Sequence, residues 1–439
     1  MALDNENVEK PELGEEREQV QSSFGGDAIL HTSAQTVEET APVKESILFF
    51  ISAMGCTLGW TAVLSNLVFY TDTLGIDSFL ILNLAVFSPL LPVTVAQAIW
   101  DSKLDKQFKS LRSFSFRGNV GYSTTFLCLL LLPWASTSLN LLAITSLLLG
   151  FSSAILHGML KQMASFIYPN CGRLSAAVTA GLQASAVLVL IVSVVSGFGR
   201  RSNKDGLKAF YFSNAAILVI CWLSFHSLLY SSRGVLRSMS RRDSLFEGNE
   251  AETPLLPRPA EYDSLDADGQ ELSLWQLSKK SWPVGISIML TVSSSMAVSS
   301  WFNRFESADV SNQSFPQLLF YTRIFSDLLG RPSTLYLTSQ SPTSIFTAST
   351  LRLLLSPLFF IYSSTTILPK NDSAVIVSVF LFSFTSGFLV TRAYQLAPSL
   401  LNDQERERNL TKQTSLLSVF FSISVLLGLF ATFALRAVL

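Results

Sequence analysis

Residues 320–334 read "FYTRIFSDLLGRPST" and place two arginines and an aspartate inside an otherwise apolar stretch. Arg323, Asp327 and Arg331 are spaced four residues apart, so on a helix their side chains project from one face. A charge within the hydrocarbon of a membrane costs several kcal/mol, so such a face has to line an aqueous cavity or pair with another helix. The interpretation of this stretch therefore depends on the kind of chain that surrounds it.

The whole chain has the composition of a membrane protein. Hydrophobic residues make up 49% of its 439 residues and charged residues only 14%, and the mean hydropathy is +0.40. A soluble globule of this size needs more polar side chains to cover its surface. Many apolar windows reach the roughly 20 residues that a helix needs to cross about 30 Å of hydrocarbon. We therefore predict an all-α, polytopic membrane protein.

The apolar windows predict eleven transmembrane helices in two groups. A charged segment at 231–281, which contains Pro and Gly, separates an N-terminal six-helix bundle at 46–230 from a C-terminal five-helix bundle at 282–439. The predicted spans are 46–71, 79–100, 118–136, 139–166, 174–198, 208–230, 282–303, 316–338, 347–366, 374–397 and 413–437.

Two segments are predicted to be disordered and cytoplasmic. Residues 1–45 are acidic, almost without aromatics, and do not resemble a signal peptide; the linker at 231–281 is similarly polar. Lys and Arg are more frequent in the loops on the N-terminal side of the membrane, which predicts a cytoplasmic N-terminus and an extracytoplasmic C-terminus. In the linker, "RRDS" at Ser244 resembles a phosphorylation site and "YDSL" at Tyr262 a sorting signal, and a solvated tether is the alternative.

The charged face of the eighth predicted span has two interpretations. In one, Asp327 neutralises the two arginines and holds the helix against its neighbours. In the other, a polar solute bridges Asp327 and Arg331, because the carboxylate accepts hydrogen bonds and the guanidinium donates them. In the fourth span, His157 could donate and accept at once, as the edge of a nucleobase requires. Arg352 and Arg392 are predicted near the cytoplasmic ends of their spans, where snorkelling explains them equally well.

Nothing in the sequence indicates catalysis. It contains no spacing typical of metal ligands, no nucleophile with a base, and no Gly-rich phosphate-binding loop. We therefore expect no enzymatic activity, no cofactor and no metal.

Several motifs together resemble one known family. "FSDLLGR" at 325–331 resembles the Asp-x-x-Gly-Arg signature of the equilibrative nucleoside transporter family, and "AILHGMLKQMASFIYP" at 154–169 resembles its fourth helix. "MGCTLGWTAVLSN" at 54–66 is similar to its Gly-rich first helix with a central Trp. The remaining similarities are "LRLLLSPLFF" at 351–360, "SFTSGFLVTRAYQLAP" at 383–398 and "FATFALRAVL" at 430–439, which resemble the ninth, tenth and last helices.

The resemblance implies a fold, an activity and a set of site residues. It implies a major-facilitator-like bundle of 11 transmembrane helices (6+5) that carries nucleosides, or nucleobases, by alternating access around a central cavity. Asp327 and Arg331 would hold the ribose hydroxyls, and His157 would read the base. The other residues that it implies are Trp60, which would close the cavity, Leu64, which would line it, Arg323 as an additional cavity residue, and Arg352 and Pro357 in structural or gating roles.

Partners, coupling and location follow from the same resemblance. The expected partners are a nucleoside or nucleobase and the lipid bilayer, with no nucleic acid polymer. Transport is either facilitative or proton-linked, and Asp327 and His157 are the candidate titrating groups. The plasma membrane is expected, with an endomembrane or vacuole as the alternative. The rival functions are a carrier of another small polar or anionic solute on the same fold and a non-transporting membrane receptor or scaffold.

Overall fold

The computed structural model describes most of the chain from residue 42 onward. The predicted tail at 1–45 lies almost entirely outside the described residues, as does the sorting-like motif at Tyr262. The described residues are 42–75, 77–167, 172–197, 204–251, 272–302, 305, 307, 315–337, 341–364 and 371–438.

The described residues form fourteen α-helices and a short 3-10 helix at Ala397–Leu400. The first nine are α1 (Val43–Leu64), α2 (Leu67–Leu74), α3 (Asp77–Phe87), α4 (Leu90–Phe108), α5 (Ser110–Ala135), α6 (Leu139–Ile167), α7 (Gly172–Val195), α8 (Lys204–Ser231) and α9 (Arg233–Ala251). They are followed by α10 (Leu274–Ser299), α11 (Phe315–Ser333), α12 (Pro342–Ser364), α13 (Asp372–Leu396) and α14 (Asp403–Val438).

Each predicted span coincides with a helix or with a pair of consecutive helices. The first span is divided into α1 and α2, and the second into α3 and α4. The first break follows Leu64, where the Asn66 side-chain amide donates to the carbonyl of Ala62 at 2.9 Å. The second contains Pro89, whose ring nitrogen has no hydrogen to donate to the helix.

Nine segments within the described ranges are long and apolar enough to cross a membrane. Helices α5 and α11 do not belong to these nine, so the count of eleven is not confirmed. α11 carries Arg323, Asp327 and Arg331 within 19 residues. α5 begins with a polar stretch that includes Arg112 and Arg117. The charged side chains lower the hydropathy of both helices.

The predicted disordered linker at 231–281 is wrong at both ends. Residues Arg233–Ala251 form α9, and α10 begins at Leu274. Val235 and Met239 of α9 are buried in the N-terminal core, and Arg242 Nη2 donates to Asp105 Oδ2 at 2.9 Å. The high charge of this segment concealed two apolar residues at helical spacing. The middle of the predicted linker, 252–271, lies outside the described residues.

Four apolar clusters organise the described part of the bundle, and the smallest packs Ile345 with Phe388 and Leu389. The largest lies among α1, α5, α6, α7 and α8, and another fills the end of the C-terminal half around Trp301 and Phe382. The remaining cluster joins residues from both halves, and we call it the interface cluster. Its buried members are Val86, Phe87, Leu90, Val93, Ala154, Val284, Ile288, Val292, Val390, Ala393, Tyr394, Ala397, Leu417, Val425 and Leu429, and its half-buried members are Trp60, Leu64, Ile155, Met296, Leu400, Phe420, Phe421 and Phe433.

The end of the bundle at which α8 finishes and α10 begins is called the linker end. The end of α6 lies there as well, because Ser238 of α9 donates to the carbonyl of Ile167 at 3.2 Å. The start of α14 lies there too, because Leu272 N donates to Asn409 Oδ1 at 2.9 Å. By the charge rule applied to the sequence, this end is expected to face the cytoplasm.

An ion pair at the linker end gives a small pH-dependent contribution to stability. Lys280 Nζ lies 2.5 Å from Glu405 Oε1, and this hydrogen bond lowers the pKa of the Glu405 carboxyl below its ordinary value. The stabilisation is therefore complete above the unfolded pKa of about 4.3, and it is lost as the pH falls through the lower folded value. Because the pair is solvent-accessible, its contribution is about 1 kcal/mol or less.

We expect Glu405→Gln to lower the unfolding temperature of the solubilised protein by about 1 °C at pH 7, and by progressively less as the pH falls below about 4. Thermal unfolding measured across this range checks the expectation. Lys279→Gln, which changes a neighbouring lysine outside the pair, is the control. A difference between Glu405→Gln and wild type that is constant across the pH range would rule out the ion pair as its source.

Candidate functional site

The acidic residue of the predicted charged face forms an ion pair within α11. Arg331 donates to Asp327 Oδ2 from Nε at 3.0 Å and from Nη2 at 2.8 Å. Asp327 is 8% exposed, and its Oδ1 accepts no hydrogen bond from any described residue. One carboxylate oxygen is thus available to a bound hydroxyl group.

The pair lies nearer to the end of its helix than the sequence indicated. The span predicted at 316–338 ends at Ser333, so Asp327 lies in the second half of α11 and Arg331 in its last turn. The backbone N–H groups of Thr334 and Leu335 make turn-type bonds to the carbonyls of Arg331 and Pro332, which end the helix. A cation in the last turn is favoured by the partial negative charge of the helix C-terminus.

Two glycines bring α13 into backbone contact with α11 beside this ion pair. A methyl group at Gly330 would lie 2.1 Å from the carbonyl oxygen of Phe384, and one at Gly387 would lie 2.1 Å from the carbonyl oxygen of Asp327. Backbone atoms occupy the space that a side chain would need, so the helices approach this closely only with glycine at both positions. The contact fixes Asp327 relative to α13.

Arg331 also connects the two halves of the bundle. Its Nη1 donates to the carbonyl oxygen of Thr179 in α7 at 2.8 Å. The hydroxyl of the same threonine lies 3.1 Å from that of Thr391 in α13. Any movement that separates α7 from α11 therefore has to break the bond between Arg331 and Thr179.

Arg323 lies two turns before Arg331 on the same face of α11 and is half-buried. Within the described ranges its polar contact is with Met296 Sδ in α10, at 3.9 Å from Nη2. Asp327 is near enough to attract the guanidinium electrostatically, but no hydrogen bond joins the two. Arg323 is thus a cation inside the bundle that no described carboxylate pairs with directly.

Helix α6 presents two more polar side chains, one turn apart. His157 is 5% exposed, its ring centroid lies 5.0 Å from that of Phe421, and its Nδ1 has no hydrogen-bond partner among the described residues. Lys161 Nζ lies 3.6 Å from the ring centroid of Tyr394 and 5.0 Å from that of Phe421. Lys161 was not among the predicted site residues, although its spacing of four from His157 places both side chains on one face of the helix.

Trp60, the residue predicted to close the cavity, packs against the interface cluster. Trp60 and Leu64 of α1 are half-buried against this cluster, and the Trp60 ring meets that of Phe87 edge to face, with centroids 5.0 Å apart. The same cluster includes Met296, which contacts Arg323, and Phe421, which contacts His157. Trp60 and Leu64 belong to this cluster, and His157 and Arg323 each contact one of its members, so all four lie around the interface between the halves.

Arg352 is not near a helix end as the sequence predicted, because α12 begins earlier, at Pro342. It is buried in mid-helix, with its guanidinium 3.7 Å from the ring centroid of Phe382. It donates to the Thr291 carbonyl at 2.8 Å, to the Phe382 carbonyl from two nitrogens at 3.1 Å, and to the hydroxyls of Ser294 and Ser295 at 2.5 and 2.6 Å. These bonds tie α12 to α10 and α13 within the C-terminal half.

For two other candidates from the sequence the contacts are local. Pro357 is exposed on α12, and the Leu353 carbonyl that it leaves without a helical N–H accepts from the Ser356 hydroxyl at 2.7 Å. Arg392, near the end of α13, donates to Gln395 Oε1 at 3.2 Å.

Hydrogen bonds join the halves at the linker end. Gln162 in α6 donates to Ser415 Oγ in α14 at 2.7 Å, and Gln395 in α13 donates to the carbonyl of Gly172 in α7 at 3.0 Å. Between these helices lies a cavity of about 30 Å³, which has room for one or two water molecules. A solute of nucleoside size therefore needs the halves to separate before it can pass at this end.

The arrangement is suited to binding a solute. It combines a carboxylate oxygen with free acceptor capacity, guanidinium donors, an imidazole and several aromatic faces around one region. Among the described residues, no group of three or more His, Cys, Asp or Glu side chains is placed to hold a metal ion.

The fold is similar to that of a sugar transporter of known structure. This transporter is the proton:xylose symporter XylE of the major facilitator superfamily, solved with 6-bromo-6-deoxy-D-glucose bound. The match covers 90% of this chain and 88% of the XylE chain, with a TM-score of 0.53 and 12% sequence identity. The match to the E. coli fucose:proton symporter FucP covers 90% of this chain and 90% of the FucP chain, with a TM-score of 0.49 and 13% sequence identity. The likeness to XylE shows a major-facilitator fold.

Sequence comparison assigns the family. No curated protein sequence matches this chain. A family model described as nucleoside transporter matches residues 143–437, from α6 through α14, and this region contains His157, Asp327 and Arg331. The chain is a membrane transporter, and it belongs to the nucleoside transporter family.

Proposed function

We propose that this protein carries nucleosides, and nucleobases as a second class, across a membrane by alternating access, as a transporter of the equilibrative type. The observation that carries the proposal is the Asp327–Arg331 pair inside the bundle, whose arginine also bonds to Thr179 in the other half. A solute bound to this pair contacts α11 directly and reaches α7 in the other half only through the bond between Arg331 and Thr179. Binding and the relative movement of the halves are therefore linked.

The pair is suited to a sugar with neighbouring hydroxyl groups. Asp327 Oδ1 can accept a hydrogen bond from one hydroxyl, and Arg331 can donate to the oxygen of the next. Both partners are charged, so the hydrogen bonds are stronger than those between neutral groups. A ribose supplies two adjacent hydroxyls, and each can act as donor and acceptor.

The base is proposed to lie toward His157 and the interface cluster. The imidazole can offer a donor and an acceptor to the edge of a base, and its Nδ1 has no partner among the described residues. Phe421, 5.0 Å from His157 by ring centroids, and Trp60 provide aromatic faces for stacking. Leu64, one turn after Trp60, completes an apolar wall.

The transport cycle is proposed to be a rocking movement of the six-helix and five-helix halves. At the linker end this movement has to break the Gln162–Ser415 and Gln395–Gly172 hydrogen bonds. Each is a single neutral bond, for which the net contribution to stability is about 1 kcal/mol. Contacts of this size can be exchanged repeatedly during a cycle.

Uptake measurements test the proposal directly. Labelled uridine and adenosine would be given, at pH 5.5 and 7.5, to cells that lack their own nucleoside carriers and express this protein at the surface. Saturable uptake above that of control cells is the expected result. Equal rates at the two pH values indicate facilitation, and a higher rate at pH 5.5 indicates a proton-linked cycle. Protein at the surface without uptake of either solute would reject the proposal.

The membrane of residence is part of the same proposal. We propose the plasma membrane. We also propose that the linker end and the N-terminus lie in the cytoplasm, because Lys and Arg are concentrated on that side of the membrane. Epitope tags at the two termini of a full-length chain, probed in intact and permeabilised cells, test this orientation. A C-terminal tag accessible in intact cells is expected, and one accessible only after permeabilisation would contradict it.

We expect His157→Gln to change the ratio of adenosine to uridine affinity about 3- to 10-fold, because one neutral hydrogen bond contributes about 1 kcal/mol. Glutamine keeps a donor and an acceptor but lacks the ring that meets Phe421. The measurement is inhibition of labelled uridine uptake by unlabelled adenosine and uridine. The control is His226→Gln, which changes a half-buried histidine of α8 that stacks on Tyr230. An unchanged ratio would assign His157 to packing alone.

A further inference from the structure

Basic side chains outnumber acidic ones in the candidate site. Lys161 and Arg331 each contact the opposite half, and Arg323 contacts Met296 of the interface cluster. Asp327 is the carboxylate that the described residues place beside them. Asp327 neutralises the charge of Arg331 through two hydrogen bonds. Two positive charges remain without a bonded counterion from the described part of the chain.

Lys161 is the less compensated of the two. It is 5% exposed, and its Nζ lies over the rings of Tyr394 and Phe421 at 3.6 and 5.0 Å from their centroids. No described carboxylate lies within ion-pair distance of this ammonium group. Aromatic faces attract a cation but compensate only part of the cost of removing it from water. An ammonium group held in this way is therefore prepared for an anionic partner.

Lys161 also lines the cavity at the linker end. Ser165 in α6, Ser175 in α7, Tyr394 and Gln395 in α13, and Thr414 in α14 contribute to the same wall. These residues come from both halves, so separation of the halves enlarges the cavity. Hydroxyl and amide side chains therefore line the same cavity as the lysine, and such groups can donate hydrogen bonds to a carboxylate or phosphate.

Arg323 adds a second positive charge farther along α11. Arg323 is half-buried, and its polar contact within the described ranges is with Met296. The carboxylate of Asp327 is hydrogen-bonded to Arg331 instead. A neutral solute leaves both Arg323 and Lys161 uncompensated. A solute with one or two negative charges removes this excess.

We propose that the transported solute carries a carboxylate or phosphate group on a body of nucleoside or nucleobase size, and that Lys161 binds this anionic group. Arg323 contributes positive potential to the same region. This inference rests on the proposed function, because it assumes that the solute occupies the site between the halves. It assigns to Lys161 a specificity for charge, in addition to the roles proposed for Asp327 and His157.

Competition at the site tests the inference. Uptake of labelled uridine is measured with increasing unlabelled uridine, uridine 5′-monophosphate, orotate or inorganic phosphate, and labelled forms of the two organic anions are tested for transport. We expect at least one of these organic anions to compete at a concentration tenfold below that of uridine and to be transported. Competition by the monophosphate alone identifies a phosphate group, and competition by orotate alone identifies a carboxylate.

Variants of Lys161 assign the effect to the residue. We expect Lys161→Met to lower the affinity for the organic anion relative to that for uridine at least tenfold, and Lys161→Arg to restore most of it. Lys279→Met, which removes a lysine stacked on Trp275 outside the site, leaves the ratio unchanged. A ratio that Lys161→Met does not alter would overturn the role of Lys161.

The outcomes separate this inference from the function on which it rests. Uridine uptake that neither organic anion inhibits overturns the inference and leaves the proposed function in place. Transport of an anion without transport of uridine supports the inference and replaces the neutral nucleoside as substrate. Absence of all uptake, with the protein at the surface, rejects both. Because the wild-type protein alone gives these results, they do not depend on the folding of any variant.

Discussion

Uridine uptake per molecule at the surface falls about 100-fold or more in an Asp327→Asn variant. The substitution keeps the size of the side chain but removes the charge that Arg331 contacts from two nitrogens. Removing one partner of a buried ion pair costs about 3–5 kcal/mol, because the other charge is left without compensation. If that cost falls on the bound state, it corresponds to a loss of affinity of at least two orders of magnitude.

The sugar hydroxyls provide a sharper test of the same residue. If Asp327 binds ribose, wild-type protein should transport uridine in preference to 2′,3′-dideoxyuridine, which lacks both hydroxyls. The Asp327→Asn variant should lose most of this preference. If Asp327 only neutralises the arginines and holds α11 against its neighbours, by contrast, the variant would fold in lower yield and treat the two solutes as wild type does. A preserved preference at the surface would therefore remove Asp327 from the site.

The chain contains a matched control for this substitution. Asp403 pairs with Arg406 three residues later at 3.1 Å, and the Asp403 side chain is 95% exposed. Asp403→Asn removes the same charge from a similar local pair in contact with water, where such pairs contribute about 0–1 kcal/mol. Its uptake should remain within about twofold of wild type, because an exposed pair does not organise the interior.

A Gly387→Ala variant should lose at least tenfold in uptake and also unfold at a lower temperature. Its added methyl group would lie 2.1 Å from the carbonyl oxygen of Asp327, so α11 and α13 have to move apart. Overpacking of this kind costs about 1–3 kcal/mol, and displacing a binding group by about 1 Å can cost as much as 100-fold in rate. Thermal unfolding and uptake of the same purified or surface-labelled variant check the two effects.

Gly172→Ala is the control for Gly387→Ala. The neighbours of a methyl group there are atoms of the flexible Gln395 side chain, at 3.2 Å or more, rather than backbone. We expect a smaller effect on both measurements. If Gly387→Ala matched wild type in both, the close contact between α11 and α13 would not be what positions Asp327.

The fold was largely readable from the sequence because its main determinant is hydropathy. Long apolar windows located all nine candidate membrane spans of the described residues, and the motif order indicated a nucleoside transporter family, which the match to residues 143–437 shows. The breaks at Asn66 and Pro89 were not predicted, since a window average does not register one side chain that ends a helix. Helix α9 was missed because its charge lowered the average although Val235 and Met239 lie on its buried face.

The site was readable only in part. The spacing of Arg323, Asp327 and Arg331 gave their common face, and His157 stood out as a polar group in an apolar span. The bond from Arg331 to the Thr179 carbonyl was not predictable, because any residue type has such a carbonyl and its position depends on how the two halves pack. The surroundings of Lys161 were hidden for the same reason, since Tyr394 and Phe421 come from distant helices.

The bond between Arg331 and Thr179 also bears on how the carrier returns without cargo. In the absence of a solute, the Thr179 carbonyl satisfies Arg331 Nη1, so the empty protein does not leave that donor buried and unbonded. A carrier whose binding groups find internal partners can reorient unloaded, and its net flux then follows the concentration gradient. One whose groups remain unsatisfied when empty is held in place until a new solute arrives, and it exchanges one solute for another. Because Thr179 lies in the other half, a movement that separates α7 from α11 removes this internal partner of Arg331, so the bond opposes an empty return of the proposed carrier.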